Sequence, residues 1–242
     1  MFDSEQSAEL YDLLYQDRKD YAAESARVHA MIRKHKPDAT SLLDVGCGTG
    51  IHLSSFAGIF GDVAGVELSE TMLERAARRL PGIPLHLGDM RTFDLGRRFD
   101  AVVSLFSAVG YVSTAEDLTS AIVAMSRHLA DDGVLVIEPW YFPDTFIPGY
   151  VSTHALKDGD QGRGIARVGH STLEGNRTRI EIHYLLCDTE KGIEHHTDVD
   201  RLTLFSRAEY AEAFRAGGLR MEYLETDDRG PGFFVGSRIQ HG

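Results

Sequence analysis

Ser41-Leu42-Leu43-Asp44-Val45-Gly46-Cys47-Gly48-Thr49-Gly50 is an apolar run that breaks into a glycine loop. Glycine lets the chain turn sharply and lets backbone approach a ligand without a Cβ clash. A strand, such a loop and then a helix is how open α/β sheets present a ligand site at the carboxyl ends of their strands. The spacing is GxGxG, not the GxGxxG of dinucleotide-binding folds, and no Lys-Ser/Thr pair follows as in a phosphate loop. A pyrophosphate on the helix N-terminus is therefore the weaker reading of this loop.

Working outward, the same alternation of strand and helix continues. Asp62-Val63-Ala64-Gly65-Val66-Glu67 reads as a second strand, residues 84–87 as a third, the apolar run FDAVVSLF (99–106) as a fourth and GVLVIE (133–138) as a fifth. Val28, Met31 and Ile32 mark a helix ending before Lys36-Pro37, and Ser69 caps one carrying Met72, Leu73, Ala76 and Leu80. Thr114 with Asp117 resembles a capping box ahead of Leu118, Ala121, Ile122, Met125 and Leu129. Strands separated by helix-length crossovers imply a parallel sheet covered on both faces.

After Pro139 the pattern changes. Residues 164–170, 178–187 and 195–204 are extended and separated by turn-like breaks, which predicts an antiparallel insertion of three or four strands. Ser206-x-x-Glu209 then opens a helix with Tyr210, Ala213 and Phe214 that stops at Gly217-Gly218, and residues 219–225 and 233–238 finish as strands. The expected organisation is a lid and cofactor core over 1–140, a substrate-side β insertion over 141–205, and a helix with two strands over 206–242 that complete the core.

The 242 residues suit one large domain with an insertion. With 25 Lys+Arg against 37 Asp+Glu, the net charge is −12, which argues against a partner held mainly through nucleic-acid phosphates or anionic lipid. Two cysteines, Cys47 and Cys187, exclude a disulfide scaffold and a multi-cysteine zinc site. No apolar run approaches the roughly 18 residues of a membrane span, and MFDSEQSAELYDLL lacks the features of a signal peptide. The expected location is the cytoplasm.

Two acids complete the pattern begun by the loop. Glu67 closes the second strand, where a carboxylate can accept both hydroxyls of a ribose, and Asp89 follows the third strand in Gly88-Asp89-Met90, placed to meet the base. DVGCGTG, the strand-two acid, GDM and FDAVVSLF together resemble class I S-adenosylmethionine-dependent methyltransferases. That resemblance implies an α/β, Rossmann-like seven-stranded sheet, here with an antiparallel β insertion after strand five. It implies S-adenosyl-L-methionine as cofactor, held by Asp44, Gly46, Gly48, Gly50, Glu67, Leu68, Asp89, Met90 and Leu105.

Nearly the whole chain is similar to TDP-amino-sugar N,N-dimethyltransferases. The similarity runs through AELYDL, SLLDVGCGTGIHL, GVELSETML, GDMRTFDLGRRFDAVVSLFSAVGY, VIEPWYFP, VGHSTLEGNRTRIEIHY and GPGFFVG. The EPWYFP and HSTLEGNRTR segments discriminate, because they lie outside the shared methyltransferase core. The resemblance implies methylation of the amine of a TDP-linked amino-deoxysugar in natural-product biosynthesis. It implies a lid carrying Tyr11 and Tyr21 over the cofactor. Phe2 falls near a family tyrosine that faces the substrate, and lacks its hydroxyl. The expected partners are the TDP-amino sugar, with a homodimer left open, and neither nucleic acid nor membrane.

Methyl transfer from a sulfonium is an in-line displacement, so the protein must mainly hold a neutral amine behind the methyl. Tyr111 follows the fourth strand and is assigned as the residue that orients the amine; a phenol with a pKa near 10 is a poor base at neutral pH. Trp140, Tyr141 and Phe142 form an aromatic shelf suited to thymine and sugar. Alternation puts Arg167 and Ser171 on one strand face and Arg177 with Arg179 on one face of the next, so one pair meets the diphosphate and the other is surface. Arg229 stands one step before the position of a family arginine in the last turn. His195 and His196 point to opposite faces of a strand and do not form a metal pair. The competing readings are an O- or N-methyltransferase for a non-sugar molecule and a non-catalytic S-adenosylmethionine-binding protein.

Overall fold

Side chains alternate across a strand, so β1 (Ser41–Val45) divides its apolar residues between two layers. Leu43 and Val45 join one buried cluster and Leu42 joins the other. Both faces are covered, as a central parallel strand requires. The computed structural model describes residues 20–158, 162–226 and 230–238.

β1 lies between β2 (Asp62–Glu67) and β4 (Phe99–Ser104), parallel to both, with β3 (Leu85–Leu87) beyond β2. β5 (Leu129–Ile137) runs parallel on the far side of β4. β11 (Phe233–Arg238) pairs antiparallel with β5, and β10 (Leu219–Leu224) with β11. The order β10-β11-β5-β4-β1-β2-β3 is the expected seven-stranded sheet.

On the Leu42 side lie α1 (Tyr21–His35) and α2 (Ile51–Ala57), burying Val28, Ile32, Leu53 and Phe56. The opposite side is covered by α4 (Ala115–Arg127) and α5 (Arg207–Ala216) through Leu118, Ile122, Met125 and Phe214. α3 (Glu70–Arg79) follows β2 and is capped by Ser69, whose hydroxyl accepts from the Met72 amide. Ser206 and Glu209 form the full capping box expected for α5. Thr114 also caps α4, but the Asp117 carboxylate accepts from the Ser113 amide instead of returning to Thr114, because Asp is one methylene shorter than Glu.

β6 (Val151–Asp158), β7 (Arg163–Glu174), β8 (Arg177–Asp188) and β9 (Gly192–Thr203) form a separate antiparallel meander. Its strands run past the expected limits, and β6 had no strand signal of its own. The meander joins the core at β9: the Thr203 hydroxyl donates to the Val112 carbonyl at 2.6 Å. Beside it Leu202 packs so close to Gly110 that a Cβ there would lie 3.0 Å from its Cδ2. Among the described residues, no helix is long and apolar enough to cross a membrane.

Candidate active site

A cleft of about 1370 Å³ runs from the glycine loop at the carboxyl end of β1 to the inner face of the β6–β9 sheet. The loop glycines are demanded by geometry. Gly46 has φ +77°, and a Cβ on it would sit 2.7 Å from the Ala108 Cβ. The loop therefore packs directly on the 3₁₀ turn Ala108–Tyr111 that follows β4. Gly50 caps α2 at φ +78°, and a Cβ there would meet the Leu80 Cδ1 at 2.9 Å and the Ala76 Cβ at 3.2 Å. Gly50 is not on the cleft wall, unlike Gly46 and Gly48, so its expected cofactor contact is corrected to a helix-packing role.

Glu67 stands at the end of β2 and borders the cleft. Its Oε2 accepts from the Gly48 amide and its Oε1 from the amides of Leu68 and Ser69, each at 2.9 Å. The carboxylate is thus fixed in orientation: Oε1 accepts two amides and Oε2 one, which leaves the open lone pair on Oε2. Leu68, Met90, Leu105 and Asp89 line the same end. Asp89 is held in a fork by Arg91, whose Nη2 lies 2.6 Å from Oδ2, and Arg91 is itself tied to Asp117 at 3.1 Å. Hydrogen bonding from Arg91 keeps Asp89 below the ordinary carboxylate range, so it presents a permanent charge. Cys47 is buried and its thiol is pushed up by that burial, which leaves it a packing residue.

Asp44 points to the α1–α2 side of β1 and is 2 % exposed, yet it lines the cleft. No described residue donates a hydrogen bond to it. Burial pushes its carboxyl up to about 7, with His52 pulling down and Glu67 pushing up. His52 is engaged by Glu24 of α1 at 2.5 Å, and the Tyr21 ring stands edge-on to it at 4.7 Å. Tyr21 lines the cleft. Tyr11 and Phe2 lie outside the described residues.

The sign of the Asp44 effect follows from linkage. Its folded pKa is raised, so the folded apoprotein binds more protons than the unfolded chain between the ordinary carboxylate range and about 7. Stability is lost as pH rises through that window, whereas affinity for a cationic ligand group is gained. Asp44→Asn should raise apoprotein stability by roughly 1–3 kcal/mol above pH 7. It should also weaken the cofactor and remove the pH dependence of its binding. Thermal melts with and without cofactor across the pH range check both signs; equal destabilisation with and without ligand would refute the assignment.

The turn after β4 is strained. Phe106 and Ser107 take φ of 51° and 62°, in the left-handed region. Non-glycine residues there store roughly 1–3 kcal/mol each and persist where the surroundings over-determine them. Glu138 supplies the brace, accepting from the Phe106 amide at 2.6 Å, while the Ser107 hydroxyl donates to the Pro139 carbonyl at 3.0 Å. This is why the strand stops at Ser104 and not at 106. The turn delivers Tyr111, partly exposed, to the cleft.

Trp140 and Tyr141 line the cleft edge-to-face at 4.8 Å, and the Trp140 Nε1 has no partner among the described residues. Phe142 borders the same cleft, but it is 1 % exposed and packs edge-on against Tyr210, Tyr223 and Phe234, so its ring backs the shelf from the core. On the meander, Arg167 and Ser171 face the cleft. The Arg167 Nη1 donates to the Ser152 hydroxyl at 2.8 Å and its Nε has no partner among the described residues. Arg179 is corrected as well. It stands on the opposite face of β8, pairs with Glu181 at 2.7 Å and Glu174 at 3.7 Å, and does not reach the cleft. Arg229 lies outside the described residues.

Among the cleft residues that sequence reasoning missed are Ser152, Asp200 and Arg207. The Arg207 guanidinium sits 4.0 Å above the Phe142 ring and bonds Asp144 at 3.2 Å. Its signal was hidden inside a segment read only as a helix cap.

The methyltransferase-domain family matches residues 42–133. The chain is 53 % identical to the dTDP-3-amino-3,4,6-trideoxy-alpha-D-glucopyranose N,N-dimethyltransferase of Streptomyces venezuelae, over 95 % of this chain and 96 % of that one. The chain belongs to the nucleotide-sugar N,N-dimethyltransferases. Among solved structures, DesVI of Streptomyces venezuelae superposes with a TM-score of 0.93 at 52 % identity, covering 96 % of this chain and 98 % of that one. CalS10, an amino pentose methyltransferase from Micromonospora echinaspora involved in calicheamicin biosynthesis and solved with S-adenosylmethionine bound, gives 0.89 at 48 %, covering 95 % and 97 %.

The cofactor of this family is S-adenosylmethionine, and the residues present fit it. Glu67 is a pre-oriented carboxylate that would meet the ribose diol, and Asp44 is a buried carboxyl, without a donor among the described residues, that would meet the amino-acid ammonium. When bound, the cofactor supplies an activated methyl on a sulfonium.

Proposed function

We propose that the chain methylates the amine of a TDP-linked amino-deoxysugar, twice in succession, in the biosynthesis of a natural product such as an antibiotic. One observation carries this reading: a single cleft joins the Glu67–Asp44 end to a sheet face bearing Arg167, Ser152 and Ser171 beside Trp140 and Tyr141. A cofactor-only binding protein has no use for the second half.

In this reading Arg167 holds the diphosphate, with the hydroxyls of Ser152 and Ser171 as further donors. Trp140 and Tyr141 pack the thymine and sugar. Tyr111, carried on the braced turn, orients the acceptor nitrogen and removes no proton. An ammonium brought beside a sulfonium is disfavoured, so the amine gives its proton to water before the site closes. The residues then supply position, and position alone is worth a large share of a displacement barrier. Residues 1–140 with 206–242 form the cofactor core and residues 141–205 the acceptor side. The net charge of −12 supports a protein without a nucleic-acid partner, and the two free cysteines suit the cytoplasm.

Incubation with S-adenosylmethionine and a mixture of TDP-3-amino and TDP-4-amino deoxysugars tests this by mass spectrometry. The expected result is a gain of two methyls on one of them. Methylation of non-sugar amines in preference to both would overturn the reading.

A further inference from the structure

We propose that Asp200, on the inner face of β9, accepts a hydrogen bond from the acceptor's amino group and, together with Tyr111, fixes the direction of its lone pair. The proposal rests on the amino-sugar reading above. Asp200 borders the cleft and is 8 % exposed, and no described residue donates a hydrogen bond to its Oδ1. A buried carboxyl oxygen without a donor is costly, and such an atom is kept where a donor arrives with a ligand.

Its position is set by the seam between sheet and core. Leu202 packs against Gly110, next to Tyr111, and Thr203 is bonded to Val112. Asp200 precedes Leu202 by two residues, so it shares that face about 7 Å further along the strand. It therefore stands near the turn that carries Tyr111. Asp198, the next residue on the same face, does not line the cleft. On the neighbouring strands, Asp200 pairs in register with Ile180, and Ile180 with Ser171. The sheet face thus presents a hydroxyl, an apolar side chain and a carboxyl in one row.

The charges select the ligand group. Arg167 is close enough to pull the Asp200 carboxyl down, while burial first and Asp198 second push it up, to about 7. A face with one buried cation and one buried carboxyl suits a ligand that is itself of mixed charge. The diphosphate is repelled by Asp200 and attracted by Arg167; the amine, the N–H donor of such a substrate, has the opposite preference. The remaining carboxylates of the cleft are placed elsewhere: Asp44, Glu67 and Asp89 at the glycine-loop end, and Glu225 exposed at the rim. A primary and a secondary amine each retain an N–H to donate to Asp200 while their lone pair faces the methyl. A neutral tertiary amine has none. Each transfer leaves an ammonium that must shed a proton to water; the contact is thus available for both transfers and lapses once the dimethylated ammonium has lost its last N–H.

The test is calorimetry and kinetics on the full chain saturated with S-adenosylhomocysteine or S-adenosylmethionine. Three probes are compared: TDP, a TDP-deoxysugar with hydroxyl in place of the amine, and the TDP-amino-deoxysugar. Wild type should bind the amine form roughly 10- to 100-fold tighter than the hydroxyl form, and Asp200→Asn should erase that preference. Affinity for TDP and for the cofactor should change less than about twofold in the variant, while kcat/KM falls by about the lost preference. Asp200→Ser, with its melting temperature measured alongside, guards against a folding artefact of either replacement. A preference that survives in both variants, or an equal loss for TDP and the amino sugar, would overturn the role of Asp200 alone. If wild type binds neither TDP-sugar, the substrate reading fails and the proposal with it.

Discussion

Glu67→Ala raises the dissociation constant of S-adenosylmethionine by about 10²- to 10⁴-fold, measured by calorimetry, in a protein that keeps its native circular dichroism. Each hydrogen bond to a charged group contributes roughly 1.5–3 kcal/mol, and a ribose diol offers two. A second loss adds to the first. Glu67 also accepts the amides of Gly48, Leu68 and Ser69, so the alanine variant leaves the glycine loop without its cross-brace to the end of β2. Faster amide exchange at Gly48 in the variant would mark that second effect. Glu67→Gln separates the two, since it keeps one acceptor oxygen and the side chain's length but not the charge. Unchanged cofactor affinity in the alanine variant would remove Glu67 from the site.

The second large effect concerns the handle on the acceptor. Supplying the free amino sugar in place of its TDP form should lower kcat/KM by at least about 10³-fold, the sum of a charged diphosphate contact and stacking of the base. Arg167→Ala should remove most of that difference by weakening the TDP form alone. Arg167→Lys should restore little, because an ammonium cannot make the planar two-pronged contact of a guanidinium. Arg167 is 6 % exposed, so its contribution should be less sensitive to salt than that of a rim charge. Comparable turnover of the free and the nucleotide-linked sugar would sink this account.

The core was legible because local and global signals agree there. β1 and β2 begin and end where the apolar runs do, and Ser69, Thr114 and Ser206 cap the helices they precede. Glu67 and Asp89 were readable as ligand-facing acids because strand ends on a parallel sheet all point to one edge. What failed was anything decided by the third dimension. Which of two arginine-bearing strand faces looks inward depends on how the meander docks, and period-2 alternation fixes the grouping but not the choice. Arg167 and Arg179 were equivalent on paper; the seam at Thr203 separates them. Phe142 looked like part of an open shelf because Trp140 and Tyr141 are its neighbours, yet its ring turns into the core against Phe234. Gly50 looked like a third cofactor glycine, and the contact that demands it comes from Leu80, thirty residues on. Asp200 carried no motif at all.

The placement of β11 governs the order in which the chain can assemble. It pairs on one side with β5 and on the other with β10, and it is the last described strand. Until residues 233–238 have left the ribosome, β5 is an edge. Its Val134, Leu135, Val136 and Ile137 are fully buried in the finished protein, so the nascent chain carries an apolar strand with one edge unpaired while about a hundred further residues are made. Such edges are templates for wrong partners. The meander between them closes hairpins of near neighbours and needs nothing from the C-terminal strands. Synthesis therefore passes through a stage in which the acceptor side can be formed while the cofactor sheet is still open, and the final strand is what seals it.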